Sequence, residues 1–166
     1  MLKLILGTTG CGKTLYAKSL GWPTVSFDEL WNYGTKKMNY GPISDLAKRH
    51  DVFILDSILL NRDPKLTQLR KAIRPHKIDV SFIYTNLDHL YECQRSTPAR
   101  LKRREQAGLT KQEDDDLNRR VLTGVNDLIK SFLSEGIIES IVYIYRVNDS
   151  YSCFDNDNHF QKVMEK

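Results

Sequence analysis

The sequence predicts an α/β fold, a three-layer α/β/α arrangement in one domain over residues 1–166, and three observations carry that expectation. Short apolar or β-branched runs alternate with amphipathic stretches, the pattern of successive βαβ units around a parallel sheet. A chain of 166 residues fits a single domain, because one core typically serves roughly 100–200 residues. With 40% hydrophobic and 28% charged residues, the composition supports a sizeable core and excludes disordered and fibrous classes.

Each element has its own justification. The apolar run Leu-Lys-Leu-Ile-Leu at residues 2–6 reads as the first strand, and a glycine-rich turn begins at Gly7. A helix follows from residues 12–14 to residue 20, ended by Gly21 and Pro23, which suit a helix stop. Residues 24–27 read as a second strand, 43–49 as a helix and 51–56 as a third strand. Another helix is expected over 64–73, with Asp63 as N-cap and Pro64 at its first position. The fourth strand covers 78–84. The charged stretch 87–132 has a helical pattern interrupted at Pro98 and Gly108, which divides it into three pieces. Thr110 and Glu113 have the spacing of a capping box, and the acidic run 113–116 lies in the positive first turn of the helix that continues to residue 133. That placement accounts for the run without a metal. A fifth strand over 138–147, a polar loop over 148–158 and a short terminal helix complete the chain.

Several function classes are excluded. No apolar run approaches the roughly 20 residues of a membrane span, so no membrane partner is expected. A strand beginning within two residues of Met1 leaves no cleavable signal peptide, and the expected location is cytoplasmic, the host cytoplasm if the source is viral. Cys11, Cys93 and Cys153 lack the paired spacing of disulfide or zinc sites and read as free thiols. The net charge of +4 permits an anionic partner without requiring a nucleic acid. His50, His76, His89 and His159 share no helical face and read as surface residues.

Gly7-Thr8-Thr9-Gly10-Cys11-Gly12-Lys13-Thr14 matches G-x-x-x-x-G-K-[ST] at every fixed position, after a predicted strand and before a predicted helix. Glycines let the backbone wrap phosphate closely, its N–H groups converge on the oxygens, and the helix start adds positive potential. All eight residues are therefore candidate nucleotide contacts. Lys13 is expected to bridge the β and γ phosphates of ATP, and the Thr14 hydroxyl to ligate Mg²⁺. Cys11 sits at a variable motif position near a helix N-terminus, where a thiol pKa can be depressed. The guanine-reading pattern Asn-Lys-x-Asp is missing, since Thr85-Asn86-Leu87-Asp88 lacks the lysine, and the chain is too short for a motor. A small kinase fits.

An aspartate at a strand's carboxyl end, Asp28 in Ser26-Phe27-Asp28-Glu29-Leu30, faces the crevice where such sheets bind ligands. It suits a hydroxyl acceptor, which must lose a proton as it attacks phosphorus; an N-cap for residues 29–31 is the alternative. Asp56 closes the apolar run 52–55 and is placed to hold Mg²⁺ through water, or to cap the strand end. Residues 95–104 carry Arg95, Arg100, Lys102, Arg103 and Arg104 with no acidic residue. Such a segment suits a lid that clamps phosphoryl oxygens and excludes water, or else a solvated helix face. Trp31, Tyr33 and Tyr40 with Lys36 and Lys37 between them offer stacking and phosphate contacts, or serve as core and surface filler.

On the loop 7–14, Asp28, the strand end Ile54-Leu55-Asp56-Ser57 and the arginines of 95–104, the chain resembles the small P-loop kinases. Within them it is most similar to the kinase domains of bacteriophage-type polynucleotide kinases. The resemblance implies a P-loop NTPase fold, a five-stranded parallel sheet in the order 2-3-1-4-5, and an arginine-rich helical lid at about 95–110. It implies Asp28 as general base, with Arg95 and Arg100 as clamps and Arg103 or Arg104 near the acceptor. Trp31 departs from the pattern, since those kinases carry there an arginine that grips an acceptor phosphate. The implied activity is transfer of the γ-phosphoryl of ATP to a hydroxyl of a nucleic acid or nucleotide, such as a 5′-OH end or a hydroxymethylated base. A nucleoside or nucleoside monophosphate kinase, and a nucleotide-binding regulator without turnover, are the alternatives.

Overall fold

Leu2, Leu4 and Leu6 alternate with Ile5 along the first strand, and all four are buried, so that strand must be covered on both faces. A computed structural model of the chain, which describes residues 2–39, 41–49, 51–56, 68, 71 and 78–166, shows how. Its elements run β1 (Leu2–Leu6), α1 (Lys13–Ser19), β2 (Thr24–Ser26), α2 (Phe27–Leu30), β3 (Trp31–Asn32), β4 (Lys37–Met38), α3 (Gly41–Ala47), β5 (Val52–Asp56), β6 (Ile78–Tyr84), α4 (Leu87–Cys93), α5 (Pro98–Ala107), α6 (Lys111–Ser134), β7 (Ile138–Val147), β8 (Ser150–Phe154) and α7 (Asn158–Glu165). The sheet order is β2-β5-β1-β6-β7-β8. Neighbours are parallel from β2 to β7, and β8 is antiparallel to β7.

On one face Leu4, Ile54, Val80 and Phe82 pack with Phe27, Leu122, Ile129 and Phe160 from helices and their flanks. On the other, Ile5, Phe53, Ile83 and Ile144 pack against Ala17 of α1 and Cys11. Helices thus cover both faces, as the pattern predicts. Burial of one such aliphatic side chain contributes about 1.5–3 kcal/mol, and truncating a central one such as Leu4 to Ala should cost about 2–5 kcal/mol.

Two expectations are corrected. Among the described residues the sheet has six strands rather than five, and its order is lengthened accordingly: the polar stretch 148–158 contains β8, which turns back through Asn148 and Asp149 to pair Ser150 with Val147. Asn148 adopts φ 51°, a left-handed conformation that asparagine tolerates and that tight hairpins need. A second hairpin, β3 with β4, follows α2 where no strand was predicted. The stretch 87–132 divides at Pro98 and Gly108 into α4, α5 and α6. The Thr110–Glu113 capping box forms in both directions, at 2.8 and 3.2 Å. The helix expected over 64–73, with its Asp63 cap, falls outside the described residues apart from 68 and 71, and so does Tyr40.

Candidate phosphate-binding site

Because β1 is flanked by β5 and β6, in register at Leu6 with Asp56 and Phe82, the loop that leaves it emerges at the centre of the sheet's carboxyl edge. There such folds bind ligands. A Cβ on Gly7 would collide with Cys11 Sγ and lie 2.9 Å from the Ile83 carbonyl oxygen, so only glycine lets the loop start so close to β6. Gly12, directly before α1, has φ 93°, and a Cβ there would sit 2.7 Å from Nη1 of Arg146. Lys13 Nζ donates to the carbonyls of Gly7 at 2.9 Å and Thr8 at 3.2 Å. The cation therefore lies back over its own loop.

A cavity of about 580 Å³ opens beside the loop, and its lining includes Thr9, Gly10, Gly12, Lys13 and Thr14, then Ser26 and Leu55 on one side and Ser96, Arg100 and Arg146 on the other. Among the described residues that line it, three are cations: Lys13, Arg100 and Arg146. Arg100 belongs to the first turn of α5, and its Nη1 donates to Ser96 Oγ at 3.0 Å and to the Cys93 carbonyl at 3.3 Å. A smaller cavity of about 250 Å³ shares Thr9 and Arg100 and adds Arg103 and Arg104.

Of the predicted loop contacts, Gly7, Thr8 and Cys11 are buried behind the cavity and the other five line it. Cys11 is 1% exposed. Burial pushes its thiol up, against the pull of Lys13 and Arg146, so the lowered pKa expected from the helix start is overturned by desolvation. Asp56 ends β5 beside Leu6. Among the described residues no cluster of three His, Cys, Asp or Glu side chains is placed to hold a metal.

Asp28 is exposed and lies inside α2, whose N-cap is Ser26; the N-cap alternative for Asp28 is thereby removed. Its Oδ1 accepts a 2.6 Å hydrogen bond from the Tyr33 hydroxyl. Trp31 is 7% exposed and stacks on Phe27 with ring centroids 5.9 Å apart. It belongs to the core and is no platform for a base. Arg95 does not reach the 580 Å³ cavity. Its guanidinium lies 3.5 Å from the Tyr91 ring centroid and donates to Asp114 Oδ2 at 3.0 Å, while Arg104 donates to the other oxygen of the same carboxylate at 2.9 Å. Asp114 has a fully buried side chain, so the acidic run does more than complement a helix start: it anchors the basic segment. α5 itself buries no residue.

Arg146, at the end of β7, was not singled out from the sequence. Its Nη1 lies 3.4 Å from the Gly10 carbonyl oxygen, and its Nε donates to the Asn148 carbonyl at 2.8 Å. It is 136 residues away from Gly10 along the chain, and its one sequence signal is a charge directly after the apolar run 141–145.

No protein-family model matches the chain, and no curated protein does. Among solved structures it is similar to a "putative kinase" from Chloroflexus aurantiacus J-10-fl, at 17% identity and a TM-score of 0.43 over 75% of this chain and 76% of that one. A likeness of that size carries no function. Among the described residues no helix is long and apolar enough to cross a membrane.

Proposed function

We propose that this chain is an ATP-dependent phosphotransferase that moves the γ-phosphoryl group to a hydroxyl of a nucleic acid or nucleotide. One observation carries the reading: the loop 7–14 follows the central strand and walls a 580 Å³ cavity to which Lys13, Arg100 and Arg146 all contribute. Three cations converging on one cavity suit a polyphosphate, whose charge must be balanced as it is transferred. Lys13 exchanges the carbonyls of Gly7 and Thr8 for phosphate oxygens. Arg100 clamps the transferred group, and Arg146 bears on the donor phosphates nearer Gly10 and Gly12. The Thr14 hydroxyl on the cavity wall and Asp56, at the register position of Leu6, are the residues that would hold Mg²⁺, and the ion would neutralise phosphate charge. Arg95, held by Asp114 and Tyr91, supports anchoring of the lid rather than a clamp. Asp28 accepts the proton of the acceptor hydroxyl as its oxygen bonds to phosphorus and ADP departs.

The test is transfer from γ-labelled ATP to 5′-hydroxyl oligonucleotides, nucleosides and nucleoside monophosphates. Asp28→Asn should lower transfer to a hydroxyl by roughly 10²–10⁴, the usual contribution of a general base, and leave ATP affinity within twofold. Near-full transfer by the variant would remove Asp28 from the chemistry, and ATP binding without transfer to any acceptor would favour a regulator.

A further inference from the structure

The carboxylate assigned as base is already engaged. Tyr33 Oη donates to Asp28 Oδ1 at 2.6 Å, the distance and polarity that an acceptor alcohol would adopt on a general base before transfer. The turn carrying Tyr33 is held in place independently of that bond. Asn32 Oδ1 accepts from the backbone N–H of Gly34 at 2.9 Å and of Thr35 at 3.0 Å, Trp31 and Met38 of the hairpin are buried in the core, and Asn39 N–H donates to the Leu30 carbonyl at 2.7 Å. Tyr33 is nevertheless 58% exposed, so its hydroxyl is open to an incoming acceptor. The cavity with Lys13 and Thr14 extends to Ser26, the residue that starts the helix bearing Asp28.

We infer that the Tyr33 hydroxyl holds the acceptor's place on Asp28, so that the carboxylate is surrendered to an acceptor and denied to water. This rests on Asp28 being the base. A specific acceptor brings binding energy from its other groups and can displace the Tyr33 hydroxyl from Asp28, whereas water brings none. A hydrogen bond to a charged acceptor biases occupancy by roughly tenfold or more. Tyr33 would thus be a specificity-determining residue that suppresses waste of ATP between turnovers.

The experiment measures ADP release from Mg²⁺–ATP without acceptor, and transfer to the best acceptor of the screen, for wild type, Tyr33→Phe, Asp28→Asn and the double variant. Phe retains the ring and leaves the Asn32 turn intact, so the fold should persist. The ratio of hydrolysis to transfer should rise about tenfold in Tyr33→Phe, and Asp28→Asn should cancel the rise. An unchanged ratio while Asp28→Asn still impairs transfer would overturn the role of Tyr33 and leave the base standing. If Asp28→Asn leaves transfer intact, both fall. Phosphotyrosine at Tyr33 in the wild type, read by mass spectrometry, would also overturn the proposal, since Tyr33 would then be an acceptor itself.

Discussion

Removing Arg146 tests whether the phosphate site extends to β7. Its guanidinium lines the cavity with Lys13 and Arg100, and it approaches the loop closely enough for a Cβ on Gly12 to meet Nη1 at 2.7 Å and Cζ at 3.0 Å. A hydrogen bond to a charged group contributes about 1.5–3 kcal/mol, and roughly 1.4 kcal/mol is tenfold in a dissociation constant. Arg146→Ala should therefore weaken ATP by roughly 10- to 100-fold. Arg146→Met keeps the aliphatic stem over the loop and should lose nearly as much if charge is the cause. A double-mutant cycle with Gly12→Ala separates the two structural costs. At φ 93° a non-glycine residue is strained by about 1–2 kcal/mol whatever stands opposite, and that part persists when Arg146 is absent. The collision with the guanidinium disappears, so Gly12→Ala should be less damaging in the Arg146→Ala background. Isothermal titration with Mg²⁺–ATP and Mg²⁺–ADP, at one fixed ionic strength because exposed charge interactions are screened, reads every arm. ATP affinity within twofold of wild type for Arg146→Ala, together with additive effects in the cycle, would show that the phosphate site stops short of β7.

Four further outcomes follow from the same geometry. Lys13→Ala should abolish transfer in a protein that remains folded, because Lys13 is outside the buried core; turnover within tenfold of wild type would sink the phosphate-loop assignment. Arg100→Ala should lower kcat more than tenfold with a smaller effect on ATP affinity, and equal rates would return Arg100 to the surface. Asp114→Asn leaves Arg95 and Arg104 without their shared buried charge and should destabilise the chain by about 3 kcal/mol in urea titration; a loss below 1 kcal/mol would show that the pairs contribute little. Burial pushes the Asp157 carboxyl up, but donors on Gln161, Asn126 and Lys130 outweigh it and hold the group down to about 2. Its stabilisation is therefore full above the ordinary carboxylate range and lost as pH falls from about 4 towards 2, and Asp157→Asn should remove that part of the acid dependence of melting.

The fold was legible where local rules suffice. Continuous apolar runs marked the strands, and Pro98, Gly108 and the Thr110–Glu113 box marked the boundaries of α4, α5 and α6 because caps and breakers act within one turn. The two hairpins were missed for a related reason. β8 is Ser-Tyr-Ser-Cys-Phe and lies at the sheet edge, where one side meets solvent and the apolar signal is diluted, while β3 and β4 are two residues each, too short for any period to register.

The site divides along the same line. The loop 7–14 was legible because backbone wrapping imposes fixed glycine spacing, and that spacing is local. Arg100, Arg95 and Arg146 are equally basic as letters, and their fates are decided by what the fold sets opposite them. Asp114, 19 residues beyond Arg95, withdraws that arginine into a buried pair. Arg100 donates to a carbonyl and to the Ser96 hydroxyl, and it lines the same cavity as Lys13. Arg146 reaches the loop because β7 is hydrogen-bonded to β6 and β6 to β1, an adjacency that sheet order creates and no local spacing records. Whether an arginine faces the cavity or a buried carboxylate is decided by what the topology sets opposite it, and that cannot be read from its own neighbourhood in the chain.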